Sequence, residues 1–249
     1  MTGGGRGIGA AIAGQLAAAG ASVLVAARSR HEVEAVAADL RVAGSRAVAA
    51  TCDVSDPGAV SELARMASKT LGDVDILVNN AGVAFAAPIH RTSLEDWNRL
   101  LSVNATSAFL CVQAFLPGML ERQRGRVVNI ASTAGLAGDR YISAYAASKH
   151  ALVGLTRAAA AETAARGVTV NAVCPGYVAT GMTEASVARI AGTTGRSRDA
   201  ALQALCERNP QGRLVDPHEV AAAVLYLCSD AARGINGVAL VLDGGELRR

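Results

Sequence analysis

The chain opens Thr2-Gly3-Gly4-Gly5-Arg6-Gly7-Ile8-Gly9 and runs directly into an alanine-rich stretch with apolar residues at helical spacing, Ile8 to Ala19. Glycines there let a turn tighten and let a pyrophosphate reach backbone N–H groups, while the helix start offers the anion a favourable field. A glycine cluster before a helix is also what a plain strand-to-helix turn looks like, so the fold must be read outward from it. Strand patterns follow at Ser22–Ala27, Ala47–Thr51, Asp75–Asn79, Arg126–Ala131, Val168–Val173 and Gly237–Leu242. Helical patterns alternate with them at His31–Ala43, Pro57–Leu71, Leu94–Glu121, Ala144–Arg166 and Pro217–Cys228. Short apolar runs such as Ile76-Leu77-Val78, without polar alternation, suit strands covered on both faces. The pattern predicts an α/β fold, a Rossmann-like doubly wound parallel sheet. An eight-stranded barrel alternates in the same way but gives no reason for an opening on Gly3, Gly7 and Gly9.

The 249 residues fit one domain, 1–249, and a composition of 51% apolar and 18% charged residues with net charge +3 excludes a disordered chain and a nucleic-acid footprint. With 53 alanines against eight aromatic residues, the core must be built from small and branched aliphatic side chains. The five cysteines, at 52, 111, 174, 206 and 228, form no CxxC pair and no metal spacing, so they read as reduced thiols and point to a cytoplasmic protein without a metal site. Gly7 to Ala27 carries no charge and is long enough to cross a bilayer. It changes at Gly20 from helix-forming to β-branched residues, so it reads as two buried elements, with no membrane span or signal peptide. Residues 181–208 are polar and charged, and form the candidate substrate lid.

After the strand at Ser22–Ala27 the chain reads Arg28-Ser29-Arg30, where a carboxylate would hold a bare ribose. Arg28, with Arg6 in the turn, suits a 2′-phosphate, so NADP(H) is favoured and NAD(H) is possible. The alternative is that Arg28 and Arg30 merely cap and solvate the next helix. Asp53 is placed to reach the adenine region, with Val54 lining it, and Asn79-Asn80-Ala81-Gly82 lies where a parallel sheet opens to its cleft. Ser132 lies just beyond the strand ending at Ala131. Tyr145 and Lys149 are spaced i and i+4, on one helical face, so the ammonium is expected to lower the phenol pKa. Only two of the 24 basic residues are lysines, Lys69 and Lys149, and the second falls at that spacing. His31, His90, His150 and His218 read as structural or surface residues; Trp97, Phe115 and Tyr141 read as packing or pocket residues.

These pieces together, Thr2-Gly3 with Gly7 and Gly9, Asn79-Asn80-Ala81-Gly82, Asn104, Ser132, Tyr145 with Lys149, and Pro175-Gly176 followed by Thr180, resemble the classical short-chain dehydrogenase/reductase family over essentially the whole chain. The resemblance implies a catalytic set of Asn104, Ser132, Tyr145 and Lys149. In it Tyr145 protonates a carbonyl oxygen, Ser132 orients it, Lys149 also holds the nicotinamide ribose, and Asn104 supports a water relay. It implies cofactor binding by Thr2, Gly3, Arg6, Gly7, Ile8 and Gly9, by Asn80, Ala81 and Gly82, and by Pro175, Gly176 and Thr180, the last at the carboxamide. The runs Gly118–Arg122, Asn129–Thr133 and Asn171–Gly176 are similar to ketoreductases of 3-oxoacyl thioesters and polyketide intermediates. Alternatives are an NAD-linked hydroxyacyl-CoA, hydroxy-acid or secondary-alcohol dehydrogenase, and a non-catalytic nucleotide-binding regulator. Arg189, Arg196 and Arg198 are available to the phosphate of a CoA or carrier protein, and the helices near 94–121 and 144–166 to a homotetramer or homodimer. The family carries an apolar strand before its Thr-Gly. Here Met1 stands directly before Thr2, so the expectation is either a start assigned inside the domain or a sheet whose middle position is unfilled or rearranged.

Overall fold

The computed structural model describes residues 1–248. Its strands are β1 (Val23–Ala27), β2 (Ala47–Thr51), β3 (Ile76–Asn79), β4 (Gly125–Ile130), β5 (Val168–Pro175) and β6 (Ala239–Leu242). The α-helices are α1 (Gly7–Ala18), α2 (Arg30–Val42), α3 (Pro57–Leu71), α4 (Leu94–Leu101), α5 (Ser107–Glu121), α6 (Ser143–Thr163), α7 (Gly181–Thr194), α8 (Arg198–Cys206) and α9 (Pro217–Cys228). All strand pairs are parallel, in two groups ordered β1-β2 and β3-β4-β5-β6. The middle of the sheet is not rearranged. Met1–Gly4 lies between the groups and zips them together: Ala26 N donates to Met1 O at 2.9 Å, Gly4 N to Ala26 O at 3.2 Å, and Thr2 N to Val78 O at 3.0 Å.

Period-two alternation in the strands sorts the core into two layers. Val23, Val25, Val78, Val128, Ile130 and Val173 face α1, α2 and α9, and their neighbours Leu24, Ala26, Leu77 and Val127 face α3, α5 and α6. Because both faces are covered, both are mostly apolar, which is why the strands read as short apolar runs. Alanine on α1, α6 and α9 keeps the helices close to the sheet; α1 and α9 pack side by side.

Helix starts are marked in the sequence by side-chain caps. Ser29, Asp56, Ser93, Ser197 and Asp216 each accept a backbone N–H of the helix they precede, and Asp216 with Glu219 forms a reciprocal capping box. Two readings are revised. β5 runs on through Cys174 and Pro175, where the sequence suggested a break after Val173. Ala172 and Gly176 donate to β6, so the missing donor of Pro175 faces the side on which β4 has already ended. The predicted helix Leu94–Glu121 holds a π turn at Ser102–Thr106, with Asn104 buried in it.

On the α3/α5/α6 face, polar side chains cross the core in a line. Asn79 Nδ2 donates to Asn129 Oδ1 at 2.9 Å, Asn129 Nδ2 to Thr156 Oγ1 at 2.9 Å, and the Thr156 hydroxyl to Leu152 O at 2.8 Å. Asn129→Ala would strand the Asn79 amide with nothing to donate to and open a void beside it. It is expected to lower stability by about 2–3 kcal/mol. Urea unfolding checks this, and a midpoint equal to the parent's would show that the line is not needed.

Candidate active site

Strand order reverses beside Met1–Gly4, and in parallel sheets the crevice for a ligand lies at such a point, at the C-terminal ends of the strands. Thr2 is buried and its Oγ1 accepts the backbone N–H groups of Asn80 and Ala81, at 3.1 and 3.2 Å. Asn80 returns its side-chain amide to Thr2 O at 3.2 Å and Gly3 O at 2.9 Å. These two residues thus spend their side chains holding the glycine turn against the end of β3. Gly3 has φ +62, and a β-carbon at Gly9 would lie 2.0 Å from the Gly3 carbonyl oxygen, so α1 starts closer to the turn than any other residue allows. Arg6 precedes α1 with no side-chain cap, leaving first-turn N–H groups without a side-chain partner. An uncapped, glycine-lined helix start fits a pyrophosphate.

Thr180 faces this turn from the other side; a β-carbon at Gly7 would stand 3.2 Å from its Cγ2. Ile8, next along α1, is partly buried against the core. Arg28 is exposed and has no hydrogen-bond or ion-pair partner among the described residues, whereas Arg6 is paired with Glu32 and Arg30 with Glu34. Asp53 Oδ1 accepts Ser55 N at 3.0 Å and Ser55 Oγ at 2.7 Å, bonds that hold the carboxyl below the usual carboxylate range. The Val54 side chain is buried among the α3-side core residues.

At the reacting end, β4 delivers Ser132, the first turn of α6 delivers Tyr145, and the next turn delivers Lys149. Ser132 Oγ accepts Ala134 N at 3.2 Å. Lys149 is buried, donates Nζ to Ile130 O at 2.8 Å, and holds that nitrogen 5.9 Å from the Tyr145 ring centre. Asn104 is committed on both amide hydrogens, to Val83 O and to Ser148 Oγ at 2.9 Å each, and its Oδ1 accepts Val83 N at 2.8 Å. It therefore ties the loop after β3 to α6. A β-carbon at Gly82 would sit 3.3 Å from Asn104 Oδ1 and 3.6 Å from Lys149 Nζ, so that loop must be bare there. Pro175 and Gly176 lie at the end of β5, with Glu246 and Asp243 packed against Gly176.

The electrostatics reverse one expectation. The Tyr145 phenol lies above its ordinary value of 10.0 because desolvation raises it more than the Ser132 hydroxyl lowers it, with Tyr177 and Cys174 adding to the rise. Lys149 donates Nζ to Ile130 O and is itself desolvated, to a pKa of about 8. Cys174, beneath Ser132 and Lys149, is pushed to about 11 by burial.

Sequence reasoning missed a clasp at the mouth of the site. Arg208, just past α8, pairs with Asp139 on the loop before α6 and with Glu246 at 2.8 Å, and lies 5.7 Å over the ring of Tyr177. Its partners are far away in the chain and carry no local pattern. Of the three arginines expected to meet a phosphate, Arg198 on α8 is paired with Glu184 and Arg189 on α7 donates to Ser186, which leaves Arg196 in the turn between the two helices. The four histidines are exposed, and Tyr141 is exposed with φ +69, holding Ala87 N on its carbonyl at 2.8 Å.

A glycine-turned parallel sheet carrying this serine, tyrosine and lysine defines a nicotinamide-dependent oxidoreductase. Residues 3–246 match the family profile described as enoyl-(acyl carrier protein) reductase. The putative ketoacyl reductase 1 of granaticin polyketide synthase from Streptomyces violaceoruber is 41% identical over 98% of this chain and 91% of that protein. D-beta-hydroxybutyrate dehydrogenase from Cupriavidus necator is 39% identical over 98% of this chain and 95% of that one. The crystal structure of a single-residue variant of actinorhodin polyketide ketoreductase with NADPH superposes with a TM-score of 0.96 at 38% identity, covering 98% of this chain and 95% of that one. The chain belongs to the short-chain dehydrogenase/reductase family, and is an NAD(P)-dependent oxidoreductase acting between a carbonyl and an alcohol.

The depressed Lys149 gives a pH signature. Between about pH 8 and pH 10.5 the unfolded chain holds a proton on this lysine that the folded chain has released, so this residue's contribution to stability rises as pH rises through that window. Relative to Lys149→Met, which does not titrate, the parent should gain in urea midpoint from pH 8 to pH 10. A flat or falling difference would contradict a desolvated Lys149.

Proposed function

We propose that the chain is an NADP-dependent ketoreductase that interconverts a 3-oxoacyl thioester or related ketone and its hydroxy form. The observation that carries this reading is the convergence of Ser132, Tyr145 and Lys149 at one end of a crevice whose other end is an uncapped helix start. The nicotinamide supplies a hydride to the carbonyl carbon in reduction and accepts it in oxidation. Tyr145 gives its proton to the oxygen on which negative charge develops, and takes one back in the reverse direction. Ser132 donates a hydrogen bond to the same oxygen, and Lys149 holds positive charge behind both. Asn104, its amide fully engaged, keeps the loop after β3 and α6 in register, with its main chain left to carry a water relay. Pro175, Gly176 and Thr180 hold the carboxamide end; Gly3, Gly7, Gly9 and the start of α1 hold the pyrophosphate.

The thioester class draws on the similarity to proteins named as ketoacyl reductases. The helical pair over 181–208 serves as the lid, with Arg196 the arginine there available to a CoA or carrier-protein phosphate. A second reading, an NAD-linked hydroxy-acid or alcohol dehydrogenase, is favoured by one observation: carboxylates already pair two of the three arginines near the ribose end. Assembly as a homodimer or homotetramer is part of the proposal. The helical run Leu94–Glu121 is apolar enough to pass for a membrane span, yet only 33% of its most apolar window is buried, and Trp97 and Phe109 are exposed on it. A second copy covering that face accounts for the surplus.

Tyr145→Phe should lower ketone reduction at least ~10²-fold while cofactor binding, read by fluorescence, stays intact. Retained turnover would remove Tyr145 from the chemistry. Initial rates on a short 3-oxoacyl thioester should favour NADPH over NADH, and a clear NADH preference would shift the conclusion to the second reading. Phe109→Glu should move the protein toward monomer in sedimentation velocity; an unchanged assembly would place the contact elsewhere.

A further inference from the structure

The ribose end of the crevice holds cations and anions in balance. Arg6 Nη1 stands 3.1 Å from Glu32 Oε1, Arg30 Nε 2.6 Å from Glu34 Oε1, and Asp53 is held by Ser55 with Arg28 near it. Glu32 is not a random surface acid. Its backbone N–H is tied to the Ser29 cap at 3.4 Å, and its side chain lies against the turn, 2.8 Å at Cβ and 3.3 Å at Oε2 from where a β-carbon on Gly5 would be. The carboxylate is thereby fixed over the glycine turn while Arg6, 81% exposed, reaches to it from the far side.

We propose that Glu32 is a built-in counter-charge that competes with the 2′-phosphate for Arg6, and so sets how strongly the protein prefers NADPH over NADH. The inference rests on the NADP reading above. A phosphate dianion brought beside Arg28 and Arg6 must take Arg6 from Glu32 and meet the freed carboxylate as a like charge; a ribose without the phosphate leaves the pair undisturbed. An exposed ion pair yields readily, so Glu32 weakens the discrimination without abolishing it. Arg28, without a partner among the described residues, supplies the unopposed attraction.

Binding rather than turnover tests this. Titrations of NADPH and NADH followed by nicotinamide fluorescence, and calorimetry with 2′,5′-ADP and with ADP, would be run on the parent and on Glu32→Gln. Glu32→Gln should tighten NADPH and 2′,5′-ADP by roughly 3- to 10-fold at low salt, the size of one freed charge contact, and leave NADH and ADP unchanged. The gain should shrink at high salt and vanish in an Arg6→Gln background. Unchanged 2′,5′-ADP affinity would overturn the proposal, as would weaker NADH binding, which would mean that Glu32 holds the ribose hydroxyls. Arg28→Gln separates the two levels. If it costs NADPH binding while Glu32→Gln is silent, the counter-charge idea falls alone. If neither change alters discrimination, the cofactor reading falls with it.

Discussion

The exchange of hydrogen bonds between Thr2 and Asn80 is the contact on which the rest of the site depends. It fixes the glycine turn to the end of β3, and the turn in turn fixes where α1 begins. With Gly9 packed on the Gly3 carbonyl, the start of that helix has one position relative to the sheet. The crevice then inherits its floor from the strand ends and its field from the helix. The cluster is polar but enclosed, and each of these donors finds an acceptor, which is the condition for such a network to rigidify a site.

The reacting end is built by a different economy. Lys149 gives up solvation, donates to one carbonyl, and is left with a proton it holds loosely; Tyr145 is left with a proton it holds tightly. Both groups sit buried one turn apart on a helix with their proton affinities displaced by burial, the mark of a functional site. Arg208, over Tyr177, joins the end of α8, the loop before α6 and the C-terminal turn through one guanidinium.

Much of this is legible in the sequence because its signals are local. Short apolar runs place the strands within a residue or two, caps such as Ser93 and Asp216 mark helix starts, and the four-residue step from Tyr145 to Lys149 puts both on one face. What escapes is long-range or electrostatic. The partners of Arg208 lie 69 residues before it and 38 after it, and Glu32 lies 26 residues from Arg6. Nothing in the neighbourhood of either arginine announces its carboxylate. The sign of the Tyr145 shift depends on how much water the fold removes, a quantity without a motif. The continuation of β5 through Pro175 depends on which neighbour has ended, which is a property of the sheet and not of the strand.

The amide line across the core has a bearing on more than energy. Asn79 and Asn129 are directly opposite in the parallel ladder, and their neighbours Val78 and Val128 point to the other layer. A slip of β3 by one residue would exchange the faces, sending its asparagine into the aliphatic layer under α1 and α9 and setting Val78 against the Asn129 amide. In a core of small and branched aliphatic side chains, the amide pair adds a polar requirement to the fit of shapes. The asparagines act as a key that only one alignment fits, so that the loop carrying Asn80, Ala81 and Gly82 emerges at the one height where it meets the glycine turn.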